Sequence, residues 1–329
     1  MMELAPANTN PFETNRLLLE LSNYYRDSPK GRQPSERVKE FATRIISGEA
    51  QGALWLKQPD LASGVAVIDL AQGAGLRVPH LYLEKDHQTT KVVSAFIEGL
   101  QEFAKEQGGL YAICDEIPGL THDQQRSVME PLGFVHVGRL LMSLSTTKGA
   151  SLPLAPLPYG NLVRVGIERV EDLIELFAEA YEGDRNQLFA PKPSDPKESG
   201  RVFLEEFFLN LEVPTVPWAS LGIDHQGELV ASILAQKEYL APVDSKSLWV
   251  YDLMVSPDHQ KKGLGTHLLQ QLMKDAREHG IEEMFLEVIE GNPVERLYAR
   301  LGFQRVPTER MRKGMWINSA TAKGLGFNL

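Results

Sequence analysis

The spacing of apolar residues along the chain divides it into two runs of similar order. In the second run, Leu162–Val165 reads as a short strand. Val170, Leu173, Ile174, Leu176, Phe177 and Tyr181 then share one broad face of a helix over Glu168–Tyr181. Another helix is predicted over Arg201–Leu209. Strands at Trp218–Ile223 and Leu229–Lys237 flank "DHQGE", a turn with Gly227 near its end. The strand "SLWVYDLMV", Ser247–Val255, is stopped by Pro257. In the helix that follows, Leu264, Leu268, Leu269, Leu272, Met273 and Ala276 fall on one face, and Gly280 ends it. "EMFLEVIE" reads as a buried strand. Asn292-Pro293 then opens a short helix, with Asn suited to the N-cap and Pro to the first helical position. That helix ends at Leu301–Phe303, "LGF".

The first run repeats much of this. Helices are predicted at about Asn10–Arg26 and Ser35–Ile46, and strands at Ala53–Lys57, Val65–Leu70 and His80–Glu84. A long helix covers Thr90–Gln107, and a strand, a short helix and "PLGFVHVGRLLMSL" close the run. The triplet "LGF" stands at Leu132–Phe134 as well as at Leu301–Phe303, each time after a short helix. "DHQ" stands between strand and long helix at Asp86–Gln88 and again at Asp258–Gln260, so the two pairs of landmarks are offset almost equally. The tripeptide also occurs at Asp224–Gln226 in an unrelated turn, so its shared position carries the weight. The pattern points to an internal duplication. "TTKGASLPLAPLPYGN", Thr146–Asn161, is rich in Pro, Gly and small residues and reads as a linker. The expected division is 1–147, a linker at 148–160, and 161–329.

Composition fits two cores: 329 residues, 43% hydrophobic and 24% charged. With 34 basic and 44 acidic residues the net charge is −10, which disfavours a nucleic-acid partner and suits a cationic substrate or simple solubility. The single cysteine, Cys114, precludes an intrachain disulfide or a cysteine-based zinc site. Its setting in the strand-like "LYAICDE" suggests an inert buried thiol. "MMELAPANTN" lacks a basic start followed by an apolar core, and no run of about 18 apolar residues occurs, so a cytoplasmic protein without a membrane partner is expected. The eight histidines form no HExxH or close pair, and no metal is expected. His259 and His267 read as solvated.

Chemistry concentrates at "QKKGLGT". A helix N-terminus offers unpaired N–H groups and partial positive charge, and glycines there leave room for an anion. No GxxxxGK[ST] string occurs, and the third glycine of a dinucleotide fingerprint is replaced by Leu268. What fits is Q/R-x-x-G-x-G/A, here Gln260-Lys261-Lys262-Gly263-Leu264-Gly265, after "DLMVSP" and before "LEV" and "NPVERLYARLGF". This set resembles the pyrophosphate loop and following elements of the GNAT acyltransferase superfamily. The resemblance covers roughly residues 162–313; the first run matches only in outline. By position after Gln88, Lys91 and Val93 stand there in place of the glycines. The chain thus looks like a tandem GNAT protein with a degenerate first copy, a layout also seen in mycothiol synthase-like enzymes.

The resemblance implies an α/β (α+β) fold of two GNAT-like domains, each with a mixed, mainly antiparallel sheet flanked by helices. It implies an N-acetyltransferase using acetyl-CoA as acyl donor, without metal. Leu253, Met254 and Val255 would meet the acyl and pantetheine parts. Gln260, Lys261, Lys262, Gly263, Leu264, Gly265 and Thr266 would meet the pyrophosphate. Asn292 would meet the cofactor, although the step from Asn292 to Tyr298 is one shorter than is common. Tyr298 would be the general acid; when the two "LGF" triplets are aligned, Met129 stands in its place. A base is needed because an amine of pKa about 10.4 is only roughly 0.04% neutral at pH 7. Glu287 is favoured over Asp252 and Glu238, all carboxylates in or near apolar strands. The acceptor is a small-molecule or peptide amine, and the protein a monomer or homodimer. The rival functions are a non-catalytic acyl-CoA-binding or partner-binding module and, more remotely, an aminoacyl-tRNA-dependent ligase, which would need a basic face.

Overall fold

The computed structural model describes residues 3–27, 38, 42–45, 47, 51–58, 61–71, 75–114, 117–147, 154–181, 195–209, 215–237, 246–306 and 313–324. In chain order the first elements are β1 (Glu3–Pro6), α1 (Pro11–Asp27), β2 (Gln51–Gln58), β3 (Leu61–Ala71), β4 (Gly75–Leu83), α2 (Thr90–Ala104), β5 (Leu110–Cys114), α3 (His122–Met129) and β6 (Phe134–Ser145). They are followed by β7 (Asn161–Arg164), α4 (Val170–Ala180), α5 (Pro196–Leu209), β8 (Leu221–His225), β9 (Glu228–Lys237), β10 (Ser247–Val255), α6 (Leu264–Glu278) and β11 (Glu283–Ile289). The last are α7 (Glu295–Arg300), β12 (Gln304–Arg305), β13 (Lys313–Asn318) and α8 (Ser319–Gly324).

The chain packs as two units. One is drawn from Met1–Gly138 and Thr308–Leu329, the other from Arg139–Gln187 and Lys192–Pro307. In unit 1 the strand order is β1-β2-β3-β4-β5-β13, antiparallel except for β4–β5. Leu17, Leu18, Leu21 and Tyr25 of α1 pack into one core, and Val93, Phe96, Ile97 and Leu100 of α2 into another that includes the fully buried Trp316 of β13. Arg16 ties α1 down: it meets Glu13, Glu20 and Glu84 and donates to the Ala62 carbonyl, while Glu13 accepts the Ala62 N–H. The Arg16 guanidinium holds Glu13 below the ordinary carboxylate range. Cys114 is buried in β5, as its strand context implied.

Unit 2 is laid out likewise. Residues Arg139–Ser145 of β6 pair with β11, and the order continues β11-β10-β9-β8-β7, antiparallel except for β10–β11. Leu264, Leu268, Leu269, Leu272 and Ala276, the face expected from periodicity, pack α6 against the sheet; each such leucine contributes about 1.5–3 kcal/mol by leaving water. On the other core, α4 and α5 bring Leu173, Ile174, Phe177, Leu204 and Phe207 against Leu234 and Met254. Two boundaries differ from expectation. The helix starts at Pro196 because the Asp195 side chain accepts the N–H groups of Lys197 and Glu198. The strand expected from Trp218 starts at Leu221, since Pro217–Ala219 turns as a 3-10 segment. Of the helix expected over Ser35–Ile46, Val38 and residues 42–45 are described and helical. Glu238 and residues 148–153 of the linker lie outside the described residues.

The duplication is visible in detail. Strands β4 and β10 have nine residues each, and α2 and α6 have fifteen each. Between strand and helix each unit has a 3-10 turn, Lys85–His87 and Pro257–His259. Gln88 donates its side-chain amide to the Leu83 carbonyl, and Gln260 does the same to Val255. Among the described residues no helix is long and apolar enough to cross a membrane.

Candidate functional site

The site in unit 2 begins with a break in the sheet. The β9–β10 register shifts between Val250 and Asp252, so Tyr251 is the extra residue of a bulge. Pairing of β10 with β11 runs only from Ser247–Glu283 to Trp249–Phe285. Beyond that, β10 stays with β9, while Leu286–Ile289 of β11 stay with β6. The two strands therefore part, and the β11-facing edge of β10 around Leu253, Met254 and Val255 has no β11 ladder partner. Met254 is buried toward α4 and α5, while Leu253 and Val255 are half-buried toward α6.

Helix α6 starts at the end of this parting. Its N-cap, Gly263, lies at φ 91°, a left-handed conformation that suits glycine, and no side chain caps the helix. The first N–H groups, of Leu264, Gly265 and Thr266, are thus left for another acceptor. A Cβ on Gly265 would meet Val255 and Leu253 at 3.6 and 3.7 Å, ordinary contact, so protein packing does not demand glycine there. Lys261 and Lys262 are exposed beside it, Lys261 at φ 58°. The Gln260 side chain serves the loop itself, donating to the Val255 carbonyl at 3.1 Å.

The equivalent junction of unit 1 is built differently. Thr89, extended, caps α2 by accepting the Val92 N–H. Aligning the helix starts sets Thr89 and Lys91 opposite Gly263 and Gly265. Counting from Gln88 sets Lys91 and Val93 there instead; the disagreement is the longer entry into α6.

The linker is part of this region. Ala155 donates its N–H to Gln270 and accepts from His267 at 2.7 Å, and Pro158 lies 3.6 Å from where a Gly263 Cβ would stand. His267, expected to be solvated, is therefore buried under the linker. His259 shares a 2.9 Å hydrogen bond with the Tyr159 hydroxyl, and Lys262 lies 5.9 Å from the Tyr159 ring centre. These contacts escape sequence reasoning because a Pro-rich segment has no period to show what it covers.

Tyr298, on α7, is 7% exposed and packs beside Phe303. Burial, and then the negative charge of Asp252, push its phenol above the ordinary range. Asp252 is thus close enough to be felt by Tyr298. It also accepts a hydrogen bond from Tyr181, at the C-terminal end of α4, and its Oδ1 takes the Leu253 N–H at 2.8 Å. The structure brings Asp252, Tyr181 and Tyr298 together; apolar spacing assigns Tyr181 only to a helix face. Glu287 pairs with Arg139 of the neighbouring strand at 3.1 Å. The Asn292 side chain accepts the Val294 N–H at 3.0 Å, holding the turn into α7. Among the described residues no group of three or more His, Cys, Asp or Glu is placed to hold a metal.

The site thus combines a parted parallel pair, an uncapped helix N-terminus at its end and a buried tyrosine on the following helix. Residues 170–303 match the model of the Acetyltransferase (GNAT) family. No curated protein matches the sequence. Among solved structures, a tandem GNAT protein from the clavulanic acid biosynthesis pathway is 15% identical, with a TM-score of 0.56, over 96% of this chain and 97% of that one. A GCN5-related N-acetyltransferase from Sphaerobacter thermophilus is 16% identical, TM-score 0.50, over 95% and 94%. Another from Kribbella flavida is 13% identical, TM-score 0.52, over 97% and 73%. The chain therefore has a tandem GNAT fold, with the glycines at the start of the long helix only in its second copy.

Proposed function

We propose that this protein is an N-acyltransferase that moves an acetyl group from acetyl-CoA to a primary amine by direct attack. The observation that carries it is the parting of β10 from β11 beside the uncapped start of α6. The free edge of β10 at Leu253–Val255 suits the amides of pantetheine and can offer an N–H to the thioester oxygen as it gains charge. The N–H groups of Leu264, Gly265 and Thr266, with Lys261 and Lys262, suit a pyrophosphate. Gln260 and Asn292 act on this ligand indirectly, by shaping the two turns.

Starting from an ammonium, the nitrogen must lose two protons and the departing sulfur gain one, with a net release of one. Asp252, which stands where β10 parts from β11 and whose charge reaches Tyr298, has a better claim as the base than Glu287, which pairs with Arg139 across to β6. Asp252 takes the first proton from the ammonium, the amine nitrogen bonds to the thioester carbon, the carbon–sulfur bond breaks as the tetrahedral adduct collapses, and the nitrogen's second proton, passed through water, restores the tyrosine that protonates the sulfur. The leaving thiolate takes the Tyr298 proton. Asp252 and Tyr298 assist each other: once Asp252 is neutralised, the charge that opposed ionisation of Tyr298 is gone. A cysteine-bound intermediate is not needed, and the lone Cys114 belongs to unit 1.

The test is release of free thiol from acetyl-CoA in the presence of a panel of amines. Amine-dependent release supports the proposal. Binding of acetyl-CoA without release, whatever amine is offered, identifies a non-catalytic acyl-CoA-binding module instead.

A further inference from the structure

We propose that Tyr159, carried by the linker, is a positioning residue for the phosphate-bearing end of the donor: its ring holds the Lys262 ammonium at the start of α6. That the donor is an acyl-CoA rests on the reading above; the contact between Tyr159 and Lys262 does not.

Tyr159 is fixed from both sides along the chain. Before it, Ala155 is tied to α6, donating its N–H to Gln270 and accepting from His267. After it, Gly160 turns at φ 79° so close to β8 that a Cβ would stand 2.6 Å from the Asp224 carbonyl oxygen. Asn161 then pairs with Asp224 as β7 begins. The linker therefore runs along α6 from Gln270 back to the helix start, where Pro158 lies 3.6 Å from the Gly263 Cβ position. With Pro156 and Pro158 in it, this segment has little freedom left to lose when held so.

The half-buried Tyr159 meets three side chains of the turns around it. Its hydroxyl shares the 2.9 Å hydrogen bond with His259, its ring lies edge-to-face with His225 at 4.9 Å, and the Lys262 Nζ lies 5.9 Å from its centre. His225 and His259 are in turn 5.8 Å apart. The two histidines set the tilt of the ring, and the ring attracts the ammonium through its quadrupole. Lys262 is an exposed side chain on a flexible stem, which loses rotamer freedom when it meets a ligand. Holding it beforehand reduces that loss. It adjoins Gly263, whose helix has no side-chain cap, so the ammonium and the first N–H groups of α6 can act on one anion.

The test is a double-mutant cycle on CoA binding by the full chain, read by calorimetry with melting curves alongside. Tyr159→Leu and Lys262→Met are each expected to weaken binding about fivefold, and the double variant hardly more than either. Tyr159→Phe keeps the ring and should stay within about twofold of the parent. A tyrosine that only supports the fold gives losses that multiply, to about twenty-fivefold in the double variant. Should Tyr159→Leu melt early, His225→Leu repeats the cycle with Lys262→Met on a chain that keeps Tyr159. CoA binding with multiplying losses, or with unchanged affinity in Tyr159→Leu, overturns this role and leaves the acyl-CoA reading intact. Failure of the parent to bind CoA removes that reading and this role with it. Coupled losses without thiol release from acetyl-CoA leave Tyr159 in its role and remove the transferase proposal.

Discussion

Thr89 and Gly263 hold the same place, the N-cap of a fifteen-residue helix, in different backbone conformations. Thr89 caps its helix with its own side chain; Gly263 leaves α6 without a side-chain cap. Because Gly263 sits at φ 91°, replacing it strains the turn whether or not anything binds. Gly265 is the cleaner probe. Gly265→Val is expected to change folding stability by less than about 1 kcal/mol. It should weaken acetyl-CoA binding at least about tenfold by crowding the N–H groups, as read by calorimetry alongside a melting curve.

Tyr298→Phe is expected to lower kcat by about a hundredfold or more while leaving acetyl-CoA affinity within about twofold. The raised phenol pKa means that the acid stays protonated through pH 10, so kcat should not fall through ionisation of Tyr298 below that pH. The sign for folding follows. A tyrosine whose folded pKa exceeds its unfolded value stabilises fully below the unfolded value and loses that contribution as pH rises through the folded one. Alkaline unfolding of the parent, compared with Tyr298→Phe, reads this directly.

Asp252→Asn and Glu287→Gln should separate chemistry from structure. The first is expected to depress turnover strongly with little change in melting. The second leaves the Arg139 charge in a half-buried setting, costing about 1–3 kcal/mol of stability with a smaller effect on rate. Paired melting curves and thiol-release rates decide it; equal turnover of Asp252→Asn and parent would return the base to Glu287.

In unit 1, Glu13 has its pKa lowered by Arg16. A carboxylate depressed in the folded state stabilises above its unfolded pKa, and that contribution is lost as pH falls through the folded value. Acid unfolding of the parent should therefore begin below the ordinary carboxylate value of 4.5. Arg16→Met, which leaves Glu13 with no guanidinium, is expected to unfold at higher pH and lower temperature.

A fragment ending at residue 147 lacks Trp316, which is fully buried in the unit 1 core and paired through β13 with β5. Such a fragment is expected to fail to fold cooperatively by circular dichroism and thermal melting.

The dependence of unit 1 on residues near the end of the chain marks the limit of what the sequence shows. The succession β10, glycine loop, α6, β11, α7 was legible because each element is announced locally: period two, Pro257, two glycines, then period 3.6. The pairing of β13 with β5 was not, since strand periodicity carries no record of the partner. The same holds for the early end of β10–β11 pairing and for the bulge at Tyr251. Asp252 was legible as a carboxylate in an apolar strand, but its approach to Tyr298 depends on those two irregularities. His267 looked solvated because polar residues usually occupy exposed faces; its burial comes from the linker laid over α6.

Acyl transfer from acetyl-CoA to an amine would be read without intermediary by thiol release from the full chain across an amine panel, with Tyr298→Phe alongside. Amine-dependent release by the parent and a loss of about a hundredfold in Tyr298→Phe are expected. Saturable acetyl-CoA binding with no release for any amine, or equal release by the two proteins, would contradict it.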